Sequence, residues 1–150
     1  MPRKAGDDVL ATLTLMHGTC ICAKSRIMQS GLNAKAYLTN NLDVACYYAE
    51  CAADECDSGC GEGDVVYVRV DTRELRVDYS SYEEPLTYFR NAFTSCDKQW
   101  FEMLEKELIP YPACDTDYET SLRVVHSVLH VAPIHASNVM HNTDNENSYG

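Results

Sequence analysis

Leu13-Thr14-Leu15-Met16-His17-Gly18-Thr19 is a short apolar run that ends in a histidine–glycine–threonine turn. Its partial alternation and its β-branched residues predict a strand over about 11–17, running directly into that turn. Lys35-Ala36-Tyr37-Leu38-Thr39 predicts a second short strand with an aromatic at its centre. Between the two, Thr19 or Cys20 opens a helix through Ile21, Ala23, Ile27 and Met28, which Ser30-Gly31-Leu32 closes. Glycine suits the left-handed position past a last helical turn, and the following leucine packs back onto the helix. The rest of the chain is read outward from this strand–helix–strand unit.

Asn40 or Asn41 is placed to cap a next helix, with Asp43 in its first turn, where the dipole favours an anion. That helix carries Val44, Ala45, Tyr48, Ala49, Ala52 and Ala53 near one face. It gives way to an acidic loop with glycines at 54–64. Val65-Val66-Tyr67-Val68-Arg69-Val70 is the clearest strand signal, and Leu75-Arg76-Val77 follows as a shorter one. Helices are expected over Pro85–Phe93 and Lys98–Leu108, the second capped by Asp97 with Phe101, Leu104 and Leu108 on its stripe. Pro110 and Pro112 end this insert of about 85–112. A β-rich run over Leu122–Val131 and a last segment near Ile134 complete the pattern. The order predicts a single α+β domain over 1–150 built on antiparallel sheet, with a loose arm at about 1–9 and a polar tail at about 142–150.

The totals limit the function classes. Against 23 acidic residues stand 12 basic ones, a net charge of −11, which opposes the phosphate neutralisation that drives nucleic-acid binding. No apolar run reaches the roughly 18 to 20 residues needed to span a bilayer, and the first residues lack the apolar centre of a secretory signal. A cytoplasmic setting is therefore expected, with neither nucleic acid nor membrane as partner. Eight cysteines in such a setting read as reduced thiols that behave as small buried hydrophobes. Cys46, Cys51, Cys56 and Cys60 lack the paired knuckles of a zinc site, and the 54–64 loop is out of register for calcium, so no metal is expected. A cysteine nucleophile paired with His126, His130 or His135 is set aside, because those histidines alternate along the expected β-run, where a solvated face explains them.

The chemistry concentrates on the first two strands. A histidine at a strand end can bond a ligand hydroxyl through one nitrogen while the scaffold holds the other. Glycine beside it lets the backbone approach a planar amide, and Thr19 adds a hydroxyl near the helix start. Tyr37 offers a flat face to a heteroaromatic ring. Alone, each feature fits an ordinary core or turn; their order and spacing set them apart.

His17-Gly18-Thr19, the helix closing on Gly31-Leu32, Tyr37-Leu38-Thr39, and Leu42-Asp43 leading to Ala45 and Tyr48-Ala49 together resemble the ADP-ribosyltransferase superfamily in its His-Tyr-Glu branch, closest to small bacterial and phage-type members. The resemblance covers residues 13 to about 70, more loosely 117–135, and leaves 85–112 unmatched. It implies a split antiparallel sheet gripping NAD as co-substrate. On that pattern His17 bonds an NAD ribose hydroxyl, Gly18 holds the nicotinamide carboxamide through its backbone, and Thr19 supports the turn. Tyr37 stacks on the nicotinamide ring, while Thr39 and Tyr48 complete the binding set. The catalytic trio would be His17, Tyr37 and an acid on a later strand, expected at Glu119, with Asp78 next in order. The implied activity is mono-ADP-ribosyl transfer in a toxin-like effector, to a protein or else to a small molecule such as a drug. An inactive, acidic interaction protein and an NAD-dependent RNA 2′-phosphotransferase are the competing readings; the latter needs a basic pocket this chain largely lacks.

Overall fold

β1 (Thr12–Cys20) and β3 (Gly63–Asp71) pair antiparallel along their whole length, from Thr12 opposite Asp71 to Cys20 opposite Gly63. The computed structural model describes residues 11–84 and 97–140. The expected arm, the Pro85–Phe93 helix and the polar tail lie outside those residues. A short β6 (Val139–Met140) adds to the far side of β3. A second antiparallel sheet has the order β2 (Ala36–Leu38), β5 (Val128–His130), β4 (Leu75–Val77). One isolated bridge, Met16 with Thr39, links the two sheets between β1 and β2. The architecture is α+β, with two small antiparallel sheets and helices α1 (Ile21–Ser30), α2 (Leu42–Asp54), α3 (Tyr79–Glu83), α4 (Asp97–Glu105) and α5 (Tyr118–Val125).

Alternation along β1 and β3 assigns their two faces. Leu15, Val66, Val68 and Val70 point into the main core with Ile27 of α1 and Leu38, Leu75 and Val128 of the second sheet. On the opposite face Met16, Val65 and Tyr67 meet Ala45 and Ala49 of α2. This double burial explains why β3 reads as a continuous β-branched run instead of a half-polar one. Gly31 ends α1 at φ +82, where its N–H donates to the Ile27 carbonyl, and Leu32 bridges to Ile134. Asn41 caps α2 by accepting from the Val44 N–H at 3.0 Å.

The C-terminal third departs from expectation. Leu122–Val131 is not one strand: residues 118–125 form α5, and only 128–130 form β5. Asp117 caps α5 through the Thr120 N–H, and Ser121, Leu122, Val124 and Val125 are buried at helical spacings. The β-branched valines are outweighed by a cap and a core-facing stripe, the usual way tertiary packing overrides propensity. His126 then turns the chain in the left-handed conformation, φ 57. His126, His130 and His135 therefore do not alternate on a solvated face. His130 is buried on β5, and His135 caps a 3-10 turn by accepting from the Ser137 N–H.

The stripe of α4 is also corrected. Phe101 is 46% exposed and Leu108, past the helix end, is 61% exposed. The buried anchor is Trp100, with Met103 and Leu104 beside it, packed on Val44, Val77, Tyr82, Ile109, Val124 and Val125. Its indole N–H donates to the Tyr82 carbonyl at 2.8 Å. Trp100→Ala is expected to destabilise the fold by about 3–5 kcal/mol through lost burial and an orphaned carbonyl, read as a shift in the urea midpoint. The cysteines are not core residues either: Cys22, Cys46 and Cys114 are exposed, and the other described ones are only partly covered. They sit at the end of β1, in the first turn of α1, along α2 or in loops, none of them in a core cluster.

Candidate functional site

The link between the sheets stops after a single residue pair, and the site lies where it stops. Met16 and Thr39 exchange both backbone hydrogen bonds, at 2.8 and 2.9 Å, but no ladder continues from there toward His17–Gly18 and Tyr37–Leu38. Instead His17 Nδ1 lies 3.0 Å from the Tyr37 carbonyl oxygen. A side chain thus satisfies a strand carbonyl that has lost its neighbour. A cavity of about 500 Å³ occupies the parting, with His17 and Gly18 on one side and residues 35–39 on the other. Tyr48 and Cys51 of α2, Glu55 just past its end, and Asp78, after β4, close it.

The carbonyl fixes the histidine's chemistry. A carbonyl only accepts, so Nδ1 carries the proton and Nε2 is left as an acceptor in the neutral ring. Burial pushes the imidazole below its ordinary pKa, partly opposed by the bond to the Tyr37 carbonyl. The neutral form, able to accept from a ligand hydroxyl, is the one favoured.

Tyr37 is half exposed and lines the cavity, so it is not the core tyrosine a buried strand would carry. Tyr48 lines it from α2; burial and the Asp78 carboxylate raise its phenol, partly opposed by a hydrogen bond with the Ser81 side chain. Gly18 lines it as well, but its missing side chain faces α2: a Cβ there would lie 2.3 Å from the Ala45 carbonyl oxygen and 2.5 Å from the Ala49 nitrogen. Helix seating is thus one reason for a glycine at this position.

Thr19 and Thr39 are engaged within the scaffold. The Thr39 hydroxyl donates to the His126 carbonyl and accepts from the Asn41 N–H, which ties β2 to the start of α2 and to the turn before β5. Thr19 is buried, its hydroxyl bonded to the Cys20 carbonyl at 3.3 Å, and it borders a different cavity of about 280 Å³. His17 borders that second cavity too, opposite Arg26 and Asn33.

The acids separate. Glu119 stands exposed in the first turn of α5, where a carboxylate suits the helix dipole, and it does not line the cavity. The strand expected to start near it begins only at Val128. Asp78 follows Val77, which pairs with Val128, and so arrives at the start of β5 from the neighbouring strand. Its carboxylate is buried and accepts from three hydroxyls, Ser80 at 2.5 Å, Ser81 at 2.7 Å and Ser127 at 2.6 Å, and from the Ser81 N–H at 3.3 Å. Its own N–H donates to Ser121 Oγ, which in turn donates to the Ser127 carbonyl. The result is a negative group fixed at the cavity wall by a network closed on every side.

Lys35, Glu55, Ser80 and Ser127 line the cavity without having been singled out in the sequence. Lys35 carries a signal only in its backbone, φ 70, a conformation a lysine rarely adopts. Asp78-Tyr79-Ser80-Ser81 is a legible helix-capping pattern, whereas Ser127 is brought to Asp78 by the α5 turn alone. No protein-family model matches the chain, and neither does any curated protein or solved structure.

Proposed function

We propose that this protein binds NAD in the parting between its sheets and transfers ADP-ribose to an acceptor, a protein foremost, as an ADP-ribosyltransferase-like enzyme. The observation that carries the reading is the convergence of three groups on one cavity: the acceptor nitrogen of His17, the half-exposed ring of Tyr37 and the carboxylate of Asp78. A split antiparallel sheet with a histidine and a tyrosine facing each other across the split agrees with the resemblance in residues 13 to 70. The cavity volume falls in the range for small-molecule sites, roughly 300–1,000 Å³.

In this reading Tyr37 stacks on the nicotinamide and His17 Nε2 accepts from a ribose hydroxyl. The adjoining cavity by Arg26 takes the phosphate-bearing half of NAD. Cleavage breaks the bond between the ribose anomeric carbon and the nicotinamide nitrogen, whose electron pair neutralises the departing pyridinium ring. The positive charge left on the ribose is stabilised by Asp78, held rigid by its serines, until the acceptor nucleophile bonds to the same carbon and gives up its proton. Asp78 thus takes the role expected of Glu119. Lys35 is the single cation among the described residues lining the cavity, against Glu55 and Asp78, which disfavours the RNA phosphotransferase reading.

A second reading draws on the saturation of Asp78. A carboxylate already accepting four hydrogen bonds suits a structural cap, and the chain would then be an NAD-binding or partner-binding relative without transfer. Nicotinamide release, followed by chromatography with NAD in excess, decides between them. Release above the spontaneous rate is the expected result; binding without release overturns the enzyme reading.

Two further outcomes test the ligand itself. Tyr37→Ala should weaken NAD binding by about 5- to 150-fold, in line with roughly 1–3 kcal/mol for a ring stacked on an aromatic, while Tyr37→Phe should retain it. Calorimetric titration checks both. NAD affinity should also hold steady as pH falls through 6.5 and decline only below that. Burial lowers the His17 pKa from its ordinary value, and protonation removes the acceptor at Nε2. The same shift means the unfolded chain takes up the proton first, so acid destabilises the fold through this residue and stability rises with pH across that window. Tighter NAD binding at lower pH would mean that His17 acts as a cation and would contradict this assignment.

A further inference from the structure

We infer that Cys20, Cys22, Cys56 and Cys60 form a structural zinc site that fastens the 55–62 loop to the junction of β1 and α1. The sulfurs of Cys20, Cys56 and Cys60 all lie within 4.8 Å of one another. Cys22 joins them through Ser58, whose hydroxyl is 3.0 Å from the sulfurs of both Cys22 and Cys56. A tetrahedral zinc with bonds of about 2.3 Å holds its sulfurs about 3.8 Å apart, so Cys20, Cys56 and Cys60 need only a small contraction to close around the ion, and Cys22 completes the set by moving in past Ser58.

The backbone supports this convergence from both segments. Cys20 ends β1 opposite Gly63, and the next N–H, of Ile21, donates to the Glu62 carbonyl at 2.8 Å, so the loop's far end is stitched to the helix start. At its near end the Gly59 N–H donates to the Cys56 carbonyl at 2.9 Å, and Gly59 at φ 69 turns the chain so that Cys60 comes back beside Cys56. Cys46 and Cys51, which shared the linear pattern with Cys56 and Cys60, belong elsewhere: Cys46 is exposed on α2, and Cys51 lines the cavity by Tyr48. The pairing that matters spans 36 positions between Cys22 and Ser58, too far apart for linear spacing to suggest it.

Four thiolates with no competing carboxylate in the group select zinc among common divalent ions. Binding releases the thiol protons and leaves an anionic, coordinatively closed site, so the role is structural. The consequence is local: the loop continues directly from the end of α2, and its first residue, Glu55, walls the cavity together with Tyr48 and Cys51 of that helix.

The test uses the full chain purified in reductant without chelator. Elemental analysis should find about one zinc per chain, and cobalt substitution should give the thiolate-to-metal charge-transfer and intense visible bands of a tetrahedral sulfur site. Cys56→Ser combined with Cys60→Ser should abolish both, while Cys46→Ser combined with Cys114→Ser should leave both intact. The wild-type metal content and cobalt spectrum do not depend on any variant folding. Zinc far below one per chain without the cobalt bands overturns the proposal, as does a Cys20, Cys22, Cys56 or Cys60 disulfide in protein kept under reductant. Retention of the spectrum in the Cys56/Cys60 double variant overturns it as well.

Discussion

Asp78→Asn is expected to slow nicotinamide release by about 100- to 1,000-fold while NAD affinity stays within a few-fold of wild type. The estimate is the usual loss when one preorganised electrostatic group facing a developing charge is removed. Asparagine keeps the size and the capping oxygen, so the Ser81 N–H retains its partner and the cap itself is little weakened. Ser80 still donates to that oxygen, and the hydroxyls of Ser81 and Ser127, which face the other one, can rotate to accept from the new amide, which limits the structural cost. Charge is what the substitution removes. A large fall in release with preserved binding is therefore the mark of an interaction made mainly in the transition state.

Glu119→Gln supplies the contrast. On the exposed first turn of α5 it should leave release within about twofold and lower stability by no more than a few tenths of a kcal/mol, the value of an anion near a helix start. Loss of activity in Glu119→Gln with retention in Asp78→Asn would invert the assignment. Loss in Glu55→Gln alone would move the acid to the cavity rim just past the end of α2. Single-turnover release and equilibrium NAD binding, measured on the three variants side by side, separate these outcomes.

The position of Glu119, exposed and away from the cavity, shows what the residue pattern could carry and what it could not. The β1–α1–β2–α2–β3 half was legible because its signals are local: β-branched alternation, a glycine past a helix end, an asparagine cap. His17 and Tyr37 were singled out for the same reason, one as an expected strand end and the other as a strand centre. β1 in fact runs on through His17-Gly18-Thr19 to Cys20, because those residues pair with Val66, Val65 and Asp64 of β3 instead of turning. Beyond residue 110 the signals conflict. Leu122, Val124 and Val125 fit a strand by propensity and a helix by spacing, and only the Asp117 cap and the core beneath settle it. Once α5 replaced the expected strand, the acid tied to that strand's start moved off the site, and the carboxylate at the start of β5 came from β4. Contacts of this kind, Asp78 with Ser127 or Cys22 with Ser58, join segments 49 and 36 positions apart and leave no periodic trace. The stripe of α4 failed for a smaller reason. Trp100 lies one position from Phe101, and a helical face cannot be fixed to within one residue without its neighbours.

Gly18→Ala is expected to destabilise the protein by about 3 kcal/mol, at the upper end of overpacking costs, and to lower its melting temperature by about 10 °C. Alanine is normally the better residue in a strand, so the sign itself is informative. A Cβ at position 18 meets backbone: the Ala45 carbonyl oxygen at 2.3 Å and the Ala49 nitrogen at 2.5 Å. Backbone atoms in a helix cannot rotate aside as a flexible side chain can, so α2 must lift off the β1–β3 ladder. Gly63, which shares that face, is blocked in the same way by the Ala49 carbonyl at 2.4 Å, and the alanines at 45 and 49 are nearly or fully buried between. Two glycines below and two alanines above bring α2 close to the sheet, and that seating sets where Tyr48, Cys51 and Glu55 stand around the cavity. Lifting α2 should therefore weaken NAD binding in step with stability, and Gly63→Ala, which does not line the cavity, should do the same. Thermal melts and NAD titrations of both variants separate this from a role for Gly18 in holding the nicotinamide amide alone. In that case Gly18→Ala would lose binding at wild-type stability, and Gly63→Ala would bind normally.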